Sequence, residues 1–233
     1  MRSAFILAGG VGARLRPHTM VLPKPLMPLG NEAILERLLR DLAKSGLIDV
    51  TISLGYLGHL VEAVIRDGSE LGMSVTYTRE HEPLGTAGAL SLLAQPLADD
   101  DILLVANGDT LTNVSFLELL DWFEASDAAA AMLCVEREVM IDFGVVNATQ
   151  EGRLVAISEK PRMVNLLSTG INLFRGSALK ELEPGRSDMP DFLMQLQASG
   201  HEVLCHTTDA LWMDLGRTAD LLEANDMIEN GTI

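Results

Sequence analysis

Short apolar runs alternate with helix-like repeats through the first half of the chain. Strand-like runs, which are apolar or rich in β-branched residues, cover residues 4–7, 50–54, 74–77 and 102–106. Between them, apolar residues recur at helical spacing over 34–42, where Gly46 supplies a stop, and a further helix is predicted over 57–66. Repeated strand–helix units of this kind are typical of a mostly parallel sheet with helices on both faces.

Capping signals mark two further helix starts. Thr86 is expected to cap a helix over 87–93. Ser115 and Glu118 form a capping box for the helix that follows them.

The pattern changes after about residue 127. Strand candidates with little helix between them now cover 128–135, 143–147, 154–157, 170–174 and 203–206, and helices are predicted at 191–198 and 218–228. We therefore predict a single domain over 1–233. Its nucleotide-binding half is 1–126, and its second half, 127–233, builds the other wall of the site.

Composition narrows the classes of protein that fit this pattern. The chain has 233 residues, of which 48% are hydrophobic and 21% charged, so a disordered chain is excluded. Its 17 basic and 33 acidic side chains give a formal net charge of −16, which argues against a groove for the phosphate backbone of a nucleic acid. A single small anion could still bind where cations and backbone N–H groups are concentrated.

Cysteine use and the N-terminal segment indicate where the protein works. Cys134 and Cys205 both lie in apolar runs and are expected to be buried thiols of a reducing compartment. The apolar stretch 4–8 is too short for a signal-peptide core or a membrane span. We expect a cytoplasmic protein.

The strongest chemical signal is the glycine-rich segment 7–15, LAGGVGARL, directly after the first predicted strand. Its glycines let the backbone turn sharply and point N–H groups toward an anion. The segment is not the dinucleotide fingerprint, because Leu15 occupies the third glycine position, and it lacks the Gly-Lys-Ser/Thr of a Walker loop. Arg14 can add a bidentate cation over phosphate oxygens, although a glycine-rich turn with a solvated arginine is the alternative.

A lysine in a stiff loop is the next signal. Lys24 lies between Pro23 and Pro25, which restrict the backbone on both sides. A lysine held in this way can act as a point charge on a phosphate.

Two aspartates follow apolar stretches. Asp109 ends the segment Asn107-Gly108-Asp109 after the strand 102–106, and Asp214 closes the stretch 211–213. Ligands of open α/β sheets bind beyond the carboxyl ends of strands, so the two carboxylates could together hold Mg²⁺. The alternative is that Asp109 caps a turn and Asp214 caps the final helix.

The order and spacing of these motifs resemble those of sugar-1-phosphate nucleotidylyltransferases, also called nucleotide-sugar pyrophosphorylases. The motifs are GGVGARLRPHT at 9–19, PKPL at 23–26, EPLGTAGA at 82–89, NGD at 107–109, EKP at 159–161, TGIN at 169–172 and WMDLG at 212–216. In overall look the chain is most similar to short bacterial guanylyltransferases acting on mannose-, heptose- or aminosugar-type 1-phosphates. The resemblance implies a Rossmann-like three-layer α/β/α fold with a mixed, mainly parallel central sheet.

The resemblance also implies which residues form the site. The nucleotide would contact Leu7, Ala8, Gly9, Gly10, Gly12, Arg14, Lys24, Glu80, Pro83, Gly85, Thr86, Asn107 and Gly108. The sugar phosphate would contact Gly144, Glu159, Lys160 and Asn172. The catalytic residues would be Arg14, Lys24, Asp109 and Asp214, of which the two aspartates would bind Mg²⁺.

Two of these roles have open alternatives. Lys160 would pair with the phosphate and Glu159 would accept from sugar hydroxyls, but the two residues could instead form an exposed ion pair at a strand end. Asn172 could equally be satisfied inside the sheet.

The implied reaction joins a nucleoside triphosphate to a sugar 1-phosphate and releases pyrophosphate. The attacking phosphate oxygen needs no protein base, because the second pKa of a phosphate monoester is about 6. The alternatives are a uridylyl-, thymidylyl- or cytidylyltransferase acting on another phosphorylated acceptor, and a non-catalytic regulatory subunit of the same fold. The presence of Arg14, Lys24, Asp109 and Asp214 argues against the regulatory subunit.

GTP is the predicted donor. The resemblance places Glu80, Pro83 and Gly85 along the base pocket. A carboxylate offers only acceptors, and guanine presents two adjacent donors, whereas uracil and thymine present a single N–H between two carbonyls.

The chain ends soon after Asp214, without the β-rich repeat domain that some relatives append. We therefore expect no appended β-helix domain and no regulation through one. The expected partners are the two small substrates, not nucleic acid or a membrane, and a homo-oligomer stays open.

Overall fold

The computed structural model describes residues 1–80 and 82–232. Its strands are β1 (Arg2–Ala8), β2 (Pro28–Leu29), β3 (Glu32–Ala33), β4 (Asp49–Leu54), β5 (Ser74–Arg79), β6 (Ile102–Asn107), β7 (Thr110–Thr112), β8 (Ala130–Met140), β9 (Val145–Ala148), β10 (Leu154–Ser158), β11 (Arg162–Arg175), β12 (Val203–Thr208) and β13 (Trp212–Asp214). Its α-helices are α1 (Ile34–Lys44), α2 (Gly58–Ile65), α3 (Gly85–Gly88), α4 (Phe116–Glu124), α5 (Gly176–Leu179), α6 (Met189–Ala198) and α7 (Thr218–Glu229). No helix in this part of the chain is both long and apolar enough to cross a membrane.

Seven strands form one mixed sheet in the order β12-β8-β11-β6-β1-β4-β5. Only β11 runs antiparallel to its neighbours, β6 and β8, and the other neighbouring strands of this sheet are parallel. The predicted mixed, mainly parallel central sheet is confirmed. The carboxyl ends of β1 and β6 lie side by side, and this edge is where open α/β sheets bind ligands.

The central strands are buried on both faces. Ile6 and Leu104 pack in one cluster with α1, α2 and α4, whereas Phe5 and Leu103 pack in another with α3 and α6. Burial on both faces explains why these strands are continuously apolar in sequence. A third, smaller cluster joins residues of the glycine-rich segment, the segment after Lys24, β7 and α7: Leu15, Met27, Leu29, Ile34, Leu111, Leu215, Leu221 and Ala224.

Strands β8 and β11 are much longer than the predicted 128–135 and 170–174. Beyond the carboxyl edge of the sheet they pair only with each other, for example Glu136 with Leu166, and lead into the two-stranded hairpin β9–β10. We call residues 136–167 the projecting arm. Nearly all of its side chains are exposed, so it lacks the buried face whose alternation would have predicted these strands.

Two local predictions are wrong. Thr86 lies inside the short helix α3 instead of capping it, and its Oγ1 accepts a hydrogen bond from the Met189 N–H at 2.7 Å, at the start of α6. Cys134 is buried as expected, but Cys205 is exposed, because β12 is an edge strand. Burial, together with the neighbouring Cys205 thiol, raises the pKa of Cys134 to about 11. One half of the predicted capping box is confirmed, since the Ser115 Oγ accepts from the Glu118 N–H at 3.3 Å, and the described residues show no return bond from the Glu118 side chain to the Ser115 N–H.

Candidate active site

A glycine-rich loop follows β1 at the carboxyl edge of the sheet. Gly12 has a left-handed backbone with φ 58°, and a Cβ there would lie 2.9 Å from Thr19 Cγ2 and 3.2 Å from Lys24 Cβ. The Thr19 hydroxyl donates a hydrogen bond to the Gly12 carbonyl at 2.8 Å. Glycine at position 12 therefore allows the loop to pack directly against the segment that carries Lys24.

The same loop is packed against the end of β4. A Cβ at Gly55 would lie 2.6 Å from the Gly9 carbonyl oxygen, to which the Tyr56 N–H donates at 3.3 Å. At Gly10, in contrast, an added Cβ would meet no atom of the described residues within 4 Å. The fold itself does not require a glycine at position 10.

A buried lysine joins two carboxylates beside this loop. Lys24 is only 7% exposed, and its Nζ forms an ion pair with the Asp109 carboxylate and another, at 3.0 Å, with Asp214 Oδ1. The second Asp214 oxygen lies 3.4 Å from Arg14 Nη2. An ammonium group that is removed from water needs such partners, because an unpaired buried charge is very unfavourable.

A pair of three-residue strands brings the two aspartates together. Strand β13 pairs antiparallel with β7, which places Asp214 opposite Thr110, the residue after Asp109. The Leu215 N–H also donates to the Asp109 carbonyl, at 3.4 Å. Asp214 does not cap the final helix, the alternative considered above, since Arg217 occupies the N-cap position of α7.

Two pockets meet at this cluster. The larger, a cleft of about 740 Å³, is lined by all but one of the predicted nucleotide contacts. The smaller, of about 470 Å³, is lined by Asp214 and Asn172 among others. The two pockets share Leu7, Arg14, Thr86, Asn107 and Asp109. Both volumes are in the range of small-molecule sites.

Gly108 is the predicted nucleotide contact that does not line the cleft. It is buried, and its N–H donates to the Leu7 carbonyl at 2.9 Å, so it joins β1 to the turn after β6. Its glycine identity fits this close packing, because an added Cβ would lie 3.3 Å from both Ile6 Cγ2 and the Leu7 oxygen.

An amide side chain in the smaller pocket has an unused acceptor. Asn172 is 3% exposed, and its Oδ1 has no hydrogen-bond partner within the described residues. A buried polar atom without a partner is unfavourable, so Oδ1 is available to a donor from a ligand in this pocket. The Trp212 indole N–H donates to the Thr169 carbonyl at 2.9 Å, which fixes the indole ring along the same wall.

The carboxylate of Glu80 is held in the wall of the larger cleft, next to Gly9 of the glycine-rich loop. Its Oε1 accepts from the Ser53 hydroxyl at 3.1 Å, and its Oε2 accepts from the Leu84 N–H at 3.0 Å. Each oxygen keeps further acceptor capacity. Pro83 and Gly85, also predicted at the base pocket, line this cleft.

The remaining sugar-phosphate candidates lie on the projecting arm. Gly144, Glu159 and Lys160 are exposed and line neither pocket. Gly144 and Glu159 are neighbours, since a Cβ at position 144 would lie 3.1 Å from Glu159 Oε2. Lys160 has a left-handed backbone with φ 43°, which is uncommon for a residue other than glycine.

Comparison with known proteins identifies the family. The family model described as nucleotidyl transferase matches residues 3–231. The chain belongs to the nucleotidyl transferase family. This match confirms the resemblance found in the motifs.

Relatives of this nucleotidyl transferase come from several kinds of organism. The chain is 31% identical over 232 residues to the low-salt glycan biosynthesis nucleotidyltransferase Agl11 of Haloferax volcanii, and 31% identical over 233 residues to the mannose-1-phosphate guanylyltransferase of Mycobacterium tuberculosis. The alignments cover 96% and 98% of the chain but 65% of each relative, so the chain spans less than two thirds of their length. A Bacillus anthracis structure, assigned as a glucose-1-phosphate thymidylyltransferase and solved in complex with a sucrose, superposes with a TM-score of 0.79 at 27% identity over 97% of this chain and 95% of that one.

Several residues that line the pockets of this nucleotidyl transferase were given no role from the sequence. Tyr56 and Glu82 line the larger pocket, and Met132, Pro190 and Trp212 line the smaller one. Tyr56 follows a predicted strand at the same edge as the glycine-rich loop, so its position could have indicated it. Met132 carried no such signal, because an apolar residue in a strand predicts core packing first.

We expect Gly10→Ala to weaken binding of a nucleoside triphosphate about tenfold, the loss expected for one charge-assisted hydrogen bond, without changing the thermal unfolding midpoint. The added methyl group would occupy open cleft, where a phosphate would otherwise approach the backbone. Titration calorimetry and thermal unfolding measure the two quantities. Gly55→Ala is the control and should lower the midpoint, because its Cβ would collide with Gly9. Unchanged affinity in Gly10→Ala would contradict the assignment of this loop to phosphates.

Proposed function

We propose that this nucleotidyl transferase joins a nucleoside triphosphate, preferably GTP, to a sugar 1-phosphate and releases pyrophosphate. The observation that carries the proposal is that two pockets meet at one charged cluster: Asp109 lines both pockets, and its ion-pair partner Lys24, which also binds Asp214, lines the larger while Asp214 lines the smaller. Transfer between two phosphorylated substrates needs this arrangement, because the attacking oxygen and the α-phosphorus must meet at one point. The similarity to the mannose-1-phosphate guanylyltransferase of Mycobacterium tuberculosis supports both the reaction class and the guanine donor.

The charge balance at the cluster favours a divalent cation. Arg14 and Lys24 carry two positive charges, which Asp109 and Asp214 already balance. Two phosphorylated substrates would therefore add uncompensated negative charge. The carboxylates of Asp109 and Asp214 both contact Lys24 Nζ, so they lie within reach of one cation, and they supply the hard oxygen ligands that Mg²⁺ prefers; these residues fit the ion and would hold it. When bound, Mg²⁺ would neutralise charge that develops on phosphate oxygens.

We assign the two basic side chains of the cluster, Lys24 and Arg14, to different phosphate groups of the nucleotide. Lys24 is buried beneath the cleft, and its Nζ would contact the α-phosphate from a fixed position. Arg14 lies at the rim, 61% exposed, and with the N–H groups of the glycine-rich loop would hold the leaving phosphates. Because the attacking phosphate oxygen is already ionised at neutral pH, positioning and charge stabilisation account for the chemistry without a protein base.

The acceptor sugar is assigned to the smaller pocket. The free Oδ1 of Asn172 would accept a hydrogen bond from a sugar hydroxyl. Lys160 and Glu159 would join the acceptor from the projecting arm, with Lys160 on the phosphate and Glu159 on the hydroxyls. The left-handed backbone of Lys160 supports a functional position, because such conformations cluster at ligand-binding sites.

The alternatives differ in donor or in chemistry. The assignment of the Bacillus anthracis neighbour as a thymidylyltransferase supports dTTP as the second candidate donor, and UTP and CTP follow. A regulatory subunit without activity is opposed by the complete charged cluster. Pyrophosphate release over a panel of triphosphates and sugar 1-phosphates distinguishes these functions, and no release with any pair would reject catalysis.

We expect Asp109→Asn and Asp214→Asn each to lower kcat by about 100-fold or more, because each removes a carboxylate proposed to hold the cation. The measurement is pyrophosphate release at saturating Mg²⁺, with Mn²⁺ binding followed by electron paramagnetic resonance as a second readout. Asp209→Asn, an exposed aspartate outside both pockets, is the control and should behave as the native protein. Near-native turnover in either active-site variant would reject the cation site.

We expect Lys160→Ala to raise KM for the sugar 1-phosphate about tenfold, the effect of losing one charge-assisted contact, and to leave KM for the triphosphate within about twofold. Steady-state kinetics with each substrate varied in turn measures both constants. Lys180→Ala, an exposed lysine paired with Asp99, is the matched control. A larger effect on the triphosphate would move Lys160 to the donor side of the reaction.

We expect Glu80→Gln to lower kcat/KM for GTP about tenfold and to narrow the preference for GTP over UTP and dTTP, because one acceptor for the guanine donors becomes an amide N–H₂. The experiment compares kcat/KM for GTP, UTP, dTTP, CTP and ATP with one accepted sugar phosphate. Glu82→Gln, which changes a carboxylate of the same cleft, is the control. A native preference for UTP or dTTP that survives Glu80→Gln would reject guanine while leaving the reaction class untouched.

A further inference from the structure

A third pocket, of about 360 Å³, gathers three arginines next to the charged cluster. Arg14 comes from the glycine-rich loop, Arg137 from the projecting arm, and Arg217 from the residue before α7. We call this the arginine pocket. Three carboxylates, Asp214, Asp220 and Glu223, also line this pocket and balance its formal charge, so what is concentrated there is guanidinium N–H donors and not net positive charge.

Two of these guanidinium groups have no partner. Within residues 1–80 and 82–232, the side chains of Arg137 and Arg217 form neither an ion pair nor a hydrogen bond. Arg14 reaches Asp214 only at 3.4 Å, which is longer than an ordinary charge-assisted hydrogen bond. The pocket therefore presents guanidinium N–H groups that make no other hydrogen bond among the described residues. Each guanidinium is planar, and its fork of donors matches phosphate oxygens.

The start of α7 adds backbone donors to these guanidinium groups. Arg217 is the N-cap residue of this twelve-residue helix, and among the described residues no side chain accepts from the N–H groups of its first turn. Three carboxylates in the pocket lining oppose an anion: Asp214, which already contacts Lys24 and Arg14, and Asp220 and Glu223 from the first two turns of α7. The opposing carboxylates would limit affinity, which suits an anion that binds for a short time and then leaves.

We propose that the arginine pocket receives the pyrophosphate released by nucleotidyl transfer. In the transfer, the sugar phosphate oxygen bonds to the α-phosphorus, and the bond from that phosphorus to the oxygen bridging to the β-phosphate breaks. The bridging oxygen keeps the electron pair and leaves as part of pyrophosphate. Arg14 lines both the nucleotide cleft and the arginine pocket. Pyrophosphate can therefore stay in contact with Arg14 while it moves from the cleft to Arg137 and Arg217.

This inference rests on the proposed function, and two measurements keep the two apart. The first is calorimetric binding of pyrophosphate to the nucleotide-free protein, which needs no activity. The second is KM for pyrophosphate in the reverse reaction, in which a nucleotide-sugar is cleaved. The variants are Arg137→Gln, Arg217→Gln and their combination, with Arg153→Gln as control, because Arg153 is exposed on the projecting arm outside the pocket.

We expect Arg137→Gln and Arg217→Gln each to raise both Kd and KM for pyrophosphate by about fivefold to tenfold, the effect of one charge-assisted hydrogen bond. The double variant should lose more, and the double Arg→Lys variant should recover part of the loss, since lysine keeps the charge without the bidentate geometry. KM for the nucleotide-sugar should stay within about twofold. Arg137 lies on an exposed strand, so its variant carries the test even if Arg217→Gln lowers stability.

Three outcomes would overturn the inference. Unchanged Kd and KM for pyrophosphate in the double variant would show that the pocket does not receive this anion. A rise in KM for the sugar 1-phosphate alone would assign the pocket to the acceptor. An equal loss of affinity for inorganic phosphate and pyrophosphate would reduce the pocket to a general anion site. A fourth outcome separates the two proposals. If the native protein shows no transferase activity but binds pyrophosphate, and the double variant loses this binding, the arginine pocket is supported and the proposed function is rejected.

Discussion

The buried ammonium group of Lys24 is the constraint on which the rest of the site depends. An ammonium group that is only 7% exposed needs negative partners, because an unpaired buried charge is very unfavourable, and Asp109 and Asp214 supply them. Lys24 and Asp214 lie 190 residues apart in sequence, so this one interaction links the first loop of the sheet to the segment before the last helix. The small apolar cluster around Leu15 and Leu215 packs the same segments from below. Charge pairing and apolar packing thus both join the glycine-rich loop, the segment that carries Lys24 and the segment that carries Asp214 and Leu215.

The local features of the site could be predicted from sequence because their signals are local. Glycines after an apolar strand predict a phosphate loop, and prolines around Lys24 predict a fixed cation. The structure places both at the carboxyl edge of the sheet, next to each other. The reason for several glycines became visible only in three dimensions. Gly12 is needed for packing on Lys24, Gly55 for packing on Gly9, and Gly10 for neither.

The features that depend on distant pairing could not be predicted. Strands β7 and β13 have three residues each, too few for a periodic pattern, yet their register decides that Asp214 meets Asp109. Thr86 has the residue type of a helix cap, but it caps the start of α6 from across the chain. In the projecting arm, burial no longer imposes alternation, so the sequence shows two short strands where the structure has long ones. The motif at 159–161 could be recognised in the sequence, but the sequence did not predict that Glu159 and Lys160 would lie outside both pockets.

The reversed direction of β11 has a consequence for how this enzyme family can diversify. A parallel strand enters the sheet from the edge opposite the site. Strand β11 instead arrives from the carboxyl edge, and its residues 162–167 lie beyond this edge before the strand joins the sheet. Those residues contribute little to the apolar core, so substitutions among them cost little free energy of unfolding. The larger cleft, in contrast, is built from glycines and buried strands, most of which tolerate few replacements. If the arm contacts the acceptor and the cleft the donor, as proposed above, selection can change the acceptor through the arm while the donor side stays fixed.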